Sequence, residues 1–298
     1  METNKAFVAR HSTGVNPFIV SWSVVPGRSY DVESADDLPE PFQTLSSNLI
    51  APQGVFSLSY TDYPASDRAH RFYRITDLTS PANLLARFQF NGNVLDIGPK
   101  SLATTPSAIT YTNDSKEGGQ AAQFNGTNSF MQVNGTNPIS GSFSVAFWLK
   151  TAVSNPGNPG DQWFNGAGLV DGETPGVSTD WGLAMTDNNI AFGIGGGSMG
   201  ANVTIHSFAV NDGDWHQVVA TWDRSTRAMT LYVDGLSVAS GLSNSNENRI
   251  DASALTVGRT STANNYYSGL LDDIQIYDRA LTANDVSNLH DFIGRTLH

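Results

Sequence analysis

The 298 residues include no cysteine, so there can be no disulfide framework, thiolate nucleophile or thiolate-ligated metal, and any metal site must use oxygen ligands and histidine. Positive charge is also scarce, with 16 Lys and Arg against 28 Asp and Glu, a formal net charge of −12. Nucleic acids and anionic membranes are bound through basic patches, so neither is an expected partner. No apolar run approaches the roughly 18 residues that span a bilayer. The opening stretch from Met1 to Arg10 lacks the basic and apolar regions of a signal peptide and reads as a maturation boundary. Glutamate is confined to Glu2, Glu33, Glu40, Glu117, Glu173 and Glu247, which leaves few ways to place two catalytic carboxyl groups across a glycosidic bond.

What the chain has in quantity is Gly, Asn, Ser and Thr, with charged residues held to 15%. That composition suits many short strands joined by tight turns. The length is about twice the commonest domain size and accommodates two domains. In the first 80 residues, alternating stretches at Phe18 to Val24, Ser29 to Glu33, Val55 to Tyr60 and Arg71 to Ile75 read as strands. Pro26-Gly27, Asp36-Asp37-Leu38-Pro39 and Tyr63-Pro64 break them. Asp77 to Asn83, with Ser80-Pro81 inside it, reads as a linker, giving domains 1–80 and 81–298.

In the second domain, Asn-Gly follows an apolar residue at Phe90-Asn91-Gly92, Phe124-Asn125-Gly126 and Val133-Asn134-Gly135, a signal for strand reversal. From Phe143 to Lys150 every second residue is apolar, which predicts a strand with one buried face. Val218, Ala220 and Trp222 repeat that pattern. A single terminal helix is predicted, capped by Thr282 and carrying Val286, Leu289 and Ile293 at helical spacing.

Trp22, the run Pro26 to Val32 and the run Arg71 to Ile75 resemble a fibronectin-type-III-like module. The run Asp214-Trp215-His216-Gln217-Val218-Val219-Ala220-Thr221-Trp222-Asp223, continued by Leu231-Tyr232-Val233-Asp234-Gly235, resembles the central hairpin of laminin-G-like and pentraxin-like jelly rolls. Gly269 to Leu281 is similar to the closing strand and short helix of that family. Phe88 to Asn93, with Asp96 and Gly98, is similar to its opening. The resemblance, over about residues 84–293, implies an all-β protein: a small β-sandwich followed by a laminin-G-like, concanavalin-A-like antiparallel jelly-roll sandwich. It further implies carbohydrate binding by a secreted, extracellular protein. The chain would be covalently linked there to a catalytic or further binding domain.

Two constellations could carry such a function. Families of this fold often hold calcium, and the resemblance implies that the opening loop and closing strand lie side by side. That would gather Asn91, Asp96, Asp272 and Asp273 as oxygen ligands for a structural Ca²⁺; the alternative is turn and strand-end decoration. Sugars need aromatic faces together with planar polar partners, and two loops supply the mixture. One, from Val153 to Trp181, holds Trp163, Asp171, Glu173, Asp180 and Trp181. The other, from Arg259 to Tyr267, holds Arg259, Asn264 and Tyr266. Trp181 opens a strand, a position compatible with burial or with ligand contact, and Tyr267 fits a core position that would turn Tyr266 outward. Trp148, Trp215 and Trp222 read as core or rim packing, and His206 and His216 as structural histidines.

Enzyme patterns are weak by comparison. Gly195 to Gly200 formally fits both a nucleophile elbow and a dinucleotide loop, yet the residues after it read as strand where both motifs require a helix. Asp171 with Glu173 is the one close acidic pair in a candidate cleft. The sequence thus favours a non-catalytic module that binds polysaccharide or oligosaccharide. A protein-adhesion module, or a hydrolase or lyase using Asp171 and Glu173, are the alternatives.

Overall fold

In a computed structural model the chain divides into two compact units, Met1–Ala82 and Asn83–His298. The structure describes residues 5–9, 18–24, 29–36, 42–52, 55, 57–63, 71–77, 83–116, 119–135, 137–174, 176, 178–247, 255–261 and 264–294. The Pro26-Gly27 turn and most of the linker lie outside them.

The first unit is built from β1 (Lys5–Ala9), β2 (Phe18–Ser23), β3 (Ser29–Ala35), β4 (Gln43–Ile50), β5 (Ser57–Asp62) and β6 (Arg71–Asp77). Four of them form a sheet in the order β1-β6-β3-β4, and β2 pairs with β5. Alternation drives this arrangement. Val20, Trp22, Tyr30, Val32, Tyr73 and Ile75 point into one core; Arg74, on the other side of β6, pairs with Glu33, while Arg71, on the same side as Tyr73, pairs with Asp36 and with the Asp62 carboxylate that the Tyr73 hydroxyl also meets.

The second unit contains β7 (Leu84–Phe88), β8 (Thr104–Ser107), β9 (Thr110–Thr112), β10 (Ala121–Asn125), β11 (Phe130–Val133), β12 (Phe143–Lys150), β13 (Ala167–Asp171), β14 (Trp181–Thr186), β15 (Asn189–Ile194), β16 (Val203–Ala209), β17 (His216–Asp223), β18 (Ala228–Val233), β19 (Leu236–Leu242), β20 (Leu255–Val257) and β21 (Ser268–Tyr277), followed by helix α1 (Ala283–Gly294). An eight-stranded sheet runs β19-β18-β17-β12-β21-β10-β9 with β7 added beside β21, and a seven-stranded sheet runs β16-β15-β14-β13-β20-β11-β8. Phe143, Val145, Phe147, Leu149, Leu183, Phe192, Val218 and Ile274 belong to one continuous core. The expected terminal helix is present: the Asp285 N–H donates to the Thr282 hydroxyl, and the Asp285 carboxylate accepts the Thr282 N–H, a reciprocal cap.

One strand differs from its sequence reading. β12 is buried on both faces, because Ala146 shares a second cluster with Val219, Tyr232, Tyr277, Leu281 and Val286 that α1 covers. Alternation in β12 therefore marks two apolar environments of different size, not one wet face and one dry. The turn Asp234-Gly235 closes β18 onto β19 with positive φ at both residues, as a two-residue hairpin requires. Asp234 also accepts from the His216 ring at 2.7 Å and the Gln217 N–H at 2.9 Å, and Asp212 lies 3.1 Å from the other ring nitrogen. These carboxylates raise the His216 pKa to about 9, with the Asp234 hydrogen bond the largest cause.

Candidate functional site

The opening loop and the closing strand do lie side by side, since β7 pairs with β21 in the register Ile274 to Phe88. The cation between them, however, is Arg87. Its guanidinium makes a two-pronged pair with the Asp273 carboxylate at 2.6 and 3.1 Å, and its backbone N–H donates to Asp96 at 2.8 Å. Both Asp96 oxygens are engaged by backbone N–H groups, one by Arg87 and Gly98 and the other by Leu102. Asp272 accepts the Lys116 N–H, and the Asn91 side-chain oxygen accepts the Gln120 N–H, each at 2.8 Å. Calcium needs six to eight oxygens turned toward one point, whereas both Asp96 oxygens, both Asp273 oxygens, one Asp272 oxygen and the Asn91 amide oxygen accept from N–H donors. The expected calcium set of Asn91, Asp96, Asp272 and Asp273 does not fit the ion. Among the described residues no group of three or more His, Asp or Glu side chains could hold a metal.

The first aromatic loop is also corrected. Trp163 and Trp181 are fully buried and present no ring face to solvent. Trp181 shares its side of β14 with Leu183 and Met185 and packs in the core against Phe143, ring centres 4.6 Å apart. Trp163 lies on the opposite, outer face of the seven-stranded sheet. The cross-strand neighbours Gly182 and Gly193 leave room there, and a Cβ at either would collide with the indole. Ala184 and Ala191 complete this flat floor. Two bonds pin the overlying segment, Thr204 to the Gln162 side chain at 2.6 Å and His206 to the Asp161 carbonyl at 2.8 Å.

Asp171, Glu173 and Asp180 do come together in this region, and all three are buried. Burial drives the Asp171 pKa well above the usual carboxylate range, with the Glu173 and Asp180 charges adding to the effect. Its carboxyl accepts the Ser261 N–H at 3.0 Å, which ties the floor of the sheet to the loop that follows β20. Asp171 is wholly enclosed and Glu173 nearly so.

The second loop keeps its side chains at the surface. Beyond β20, Thr260 and Tyr267 donate backbone N–H groups to Asn265 and Gly258, and Arg259 bridges Tyr266 as an antiparallel pair. Tyr267 turns inward, completely buried, with its hydroxyl near the Lys150 and Leu270 carbonyls. Tyr266 turns outward and is half-buried, and Asn264 is exposed. The Arg259 guanidinium lies 3.8 Å from the centre of the Phe130 ring, and Tyr266 stands beside Phe130 with ring centres 6.4 Å apart. Arg71, Arg74, Arg87 and Arg279 each hold a carboxylate, whereas among the described residues Arg259 makes no ion pair and its buried Nε–H finds no acceptor. Leaving such a donor unmet costs about 1–3 kcal/mol.

Phe130 was not singled out from the sequence. Its signal was present in Phe130-Met131-Gln132-Val133, where Met131 and Val133 face the core and Phe130 and Gln132 must therefore face outward. The glycine-rich stretch at Gly197–Met199 forms a single short 3₁₀ turn leading into β16, with no helix to present a nucleophile or bind a dinucleotide.

Residues 125–287 match the sequence profile of the concanavalin A-like lectin/glucanases superfamily. No curated protein matches the chain in sequence. Among solved structures, the second unit's fold is similar to the binding domain of Paraclostridial Mosquitocidal Protein 1, with 17% identity, 71% of this chain and 52% of that chain covered, and a TM-score of 0.58. A botulinum neurotoxin DC binding domain solved with rat synaptotagmin II matches at 13% identity over 72% of this chain and 52% of that one, TM-score 0.54. A structure of botulinum neurotoxin type C, a toxin whose cell entry is dependent upon interaction with two ganglioside molecules, matches at 13% identity over 72% of this chain and 52% of that one, TM-score 0.53. The chain spans about half the length of these structures, and at such identities the likeness is one of fold.

Proposed function

The chain belongs to the concanavalin A-like lectin/glucanases superfamily, and on that premise we propose that its second unit is a non-catalytic carbohydrate-binding module of a secreted protein. One observation carries this reading. Phe130, Arg259 and Tyr266 form a surface platform in which aromatic rings lie beside a guanidinium that no described carboxylate or carbonyl engages. Sugar rings stack on aromatic faces, and their hydroxyls accept from planar donors, so a platform of this kind supplies both halves of the recognition. Exposed Asn264 adds an amide at its edge. Solved structures of this fold that serve as binding domains within larger proteins support a role as a module attached to a catalytic or further binding domain.

Affinity electrophoresis through a panel of immobilised polysaccharides tests the reading. The parent protein is retarded by at least one glycan and the Tyr266→Ala variant runs freely, whereas equal migration of the two would remove the platform from the function. A protein-adhesion reading has its own support in Phe208, Leu236 and Leu242, which are 55%, 71% and 60% exposed on the edge strands β16 and β19. If that reading holds, substituting those three residues abolishes capture by cells stripped of their glycans, and Tyr266→Ala does not.

A further inference from the structure

Resting on the carbohydrate reading, we propose that the ligand is an acidic sugar, whose carboxylate or sulfate is held by Arg259 while its ring lies against Tyr266. The overall charge argues the other way, since −12 disfavours the approach of an anion. Over a Debye length of about 8 Å at physiological ionic strength, that field slows encounter more than it weakens a local fit. What decides the local fit is which donors are free and how well they are held.

Arg259 answers both points. A guanidinium carries five N–H donors in a rigid fork that matches the two oxygens of a carboxylate or sulfate. In this acidic protein four described arginines pair with a carboxylate, Arg74 and Arg87 through both prongs of the fork, yet among the described residues Arg259 pairs with none. It is also held in place. Its backbone is fixed by the bridge to Tyr266, its carbonyl accepts the Thr256 hydroxyl at 3.1 Å, and its guanidinium rests on Phe130. Stacking restricts the side chain without using its donors, so little rotational freedom remains to be lost when an oxyanion binds. Two residues further on, the Ser261 N–H held by Asp171 anchors the loop from below. A neutral hydroxyl would use one donor of the fork; an oxyanion uses two and matches the charge.

Isothermal titration of the full chain separates the possibilities with three forms of one oligomer: a galacturonic acid hexamer, its carboxyl-reduced galactose counterpart, and that counterpart O-sulfated. The inference expects the acidic forms to bind at least about tenfold tighter than the neutral one. Preference between uronate and sulfate then identifies the source of the oxyanion. Arg259→Gln and Arg259→Lys both remove the difference, the latter because an ammonium is a point charge without a fork. Unchanged melting temperatures show that the variants fold. Equal binding of acidic and neutral hexamers, lost on Tyr266→Ala, would overturn the acidic-sugar inference and leave the carbohydrate reading intact. An Arg259→Lys variant that keeps the full preference would overturn the role of the fork. No binding of any hexamer, nor of any polysaccharide in the electrophoresis panel, would overturn both readings.

Discussion

Trp163 shows how far the role of one residue depends on what lies beneath it. Set among prolines and glycines, its ring invites a reading as a sugar-stacking platform, but Gly182 and Gly193 make a flat bed for the indole, and the overlying segment closes it off. The residue is therefore a structural element of the sheet's outer face. Replacing it with alanine removes a fully buried indole and leaves a cavity over two glycines, so chemical denaturation of Trp163→Ala should show a loss of about 3–5 kcal/mol. A loss under about 1 kcal/mol would mean that the ring is not packed as described. Tyr267 reads as a core position and is buried, whereas for Trp181 the sequence alone leaves burial and ligand contact open, although it shares the core side of β14 with Leu183 and Met185; Trp163 precedes its sheet, and only the placement of a loop decides its environment. Small residues alternating on facing strands, Gly182 and Ala184 opposite Gly193 and Ala191, were the one hint available.

At the scale of elements, the sequence was most legible where structure is local. The Asp234-Gly235 turn and the Thr282 cap depend on neighbours within a few residues and appear where the pattern places them, as do the strands, though the alternation in β12 hides a second buried face. Less legible was the junction of β7 with β21, where Arg87 meets Asp273 across 186 residues and takes the place at which calcium was expected. A chelator should therefore leave the melting temperature unchanged. Arg87→Met, by contrast, strands a carboxylate whose side chain is 0% exposed and should cost about 3–5 kcal/mol in denaturant unfolding. A chelator-induced drop in melting temperature would restore the metal. The start of β17 supplies a pH signature. Because the folded pKa of His216, about 9, exceeds its unfolded value of 6.5, the protonated ring is favoured by folding. Its contribution is fully present below pH 6.5 and is lost as pH rises through 9. Thermal melts should show that decline over this window in the parent and a flatter profile in His216→Gln; parallel profiles would dismiss the Asp212–His216–Asp234 clamp.

At the largest scale, the two antiparallel sheets of the second unit bury most of their large residues between them and leave function to what decorates the outside. The same physics explains why the fold could be read and the site only in part. A core imposes its period on every strand, whereas a surface platform needs only three residues from two distant segments, here β11 and the loop after β20. Of the residues nominated for glycan contact, Trp163, Asp171, Glu173, Asp180 and Trp181 are enclosed, and Arg259, Asn264 and Tyr266 stay accessible. The buried acids still matter to the surface, since Asp171 holds the loop that carries Arg259. Nuclear magnetic resonance mapping of the full chain during titration with the galacturonic acid hexamer tests this account most directly. Shifts should concentrate at Phe130, Arg259, Asn264 and Tyr266 and spare the edge strands β16 and β19. Shifts confined to those edges, or centred on the enclosed residues Trp163 and Glu173, would contradict it.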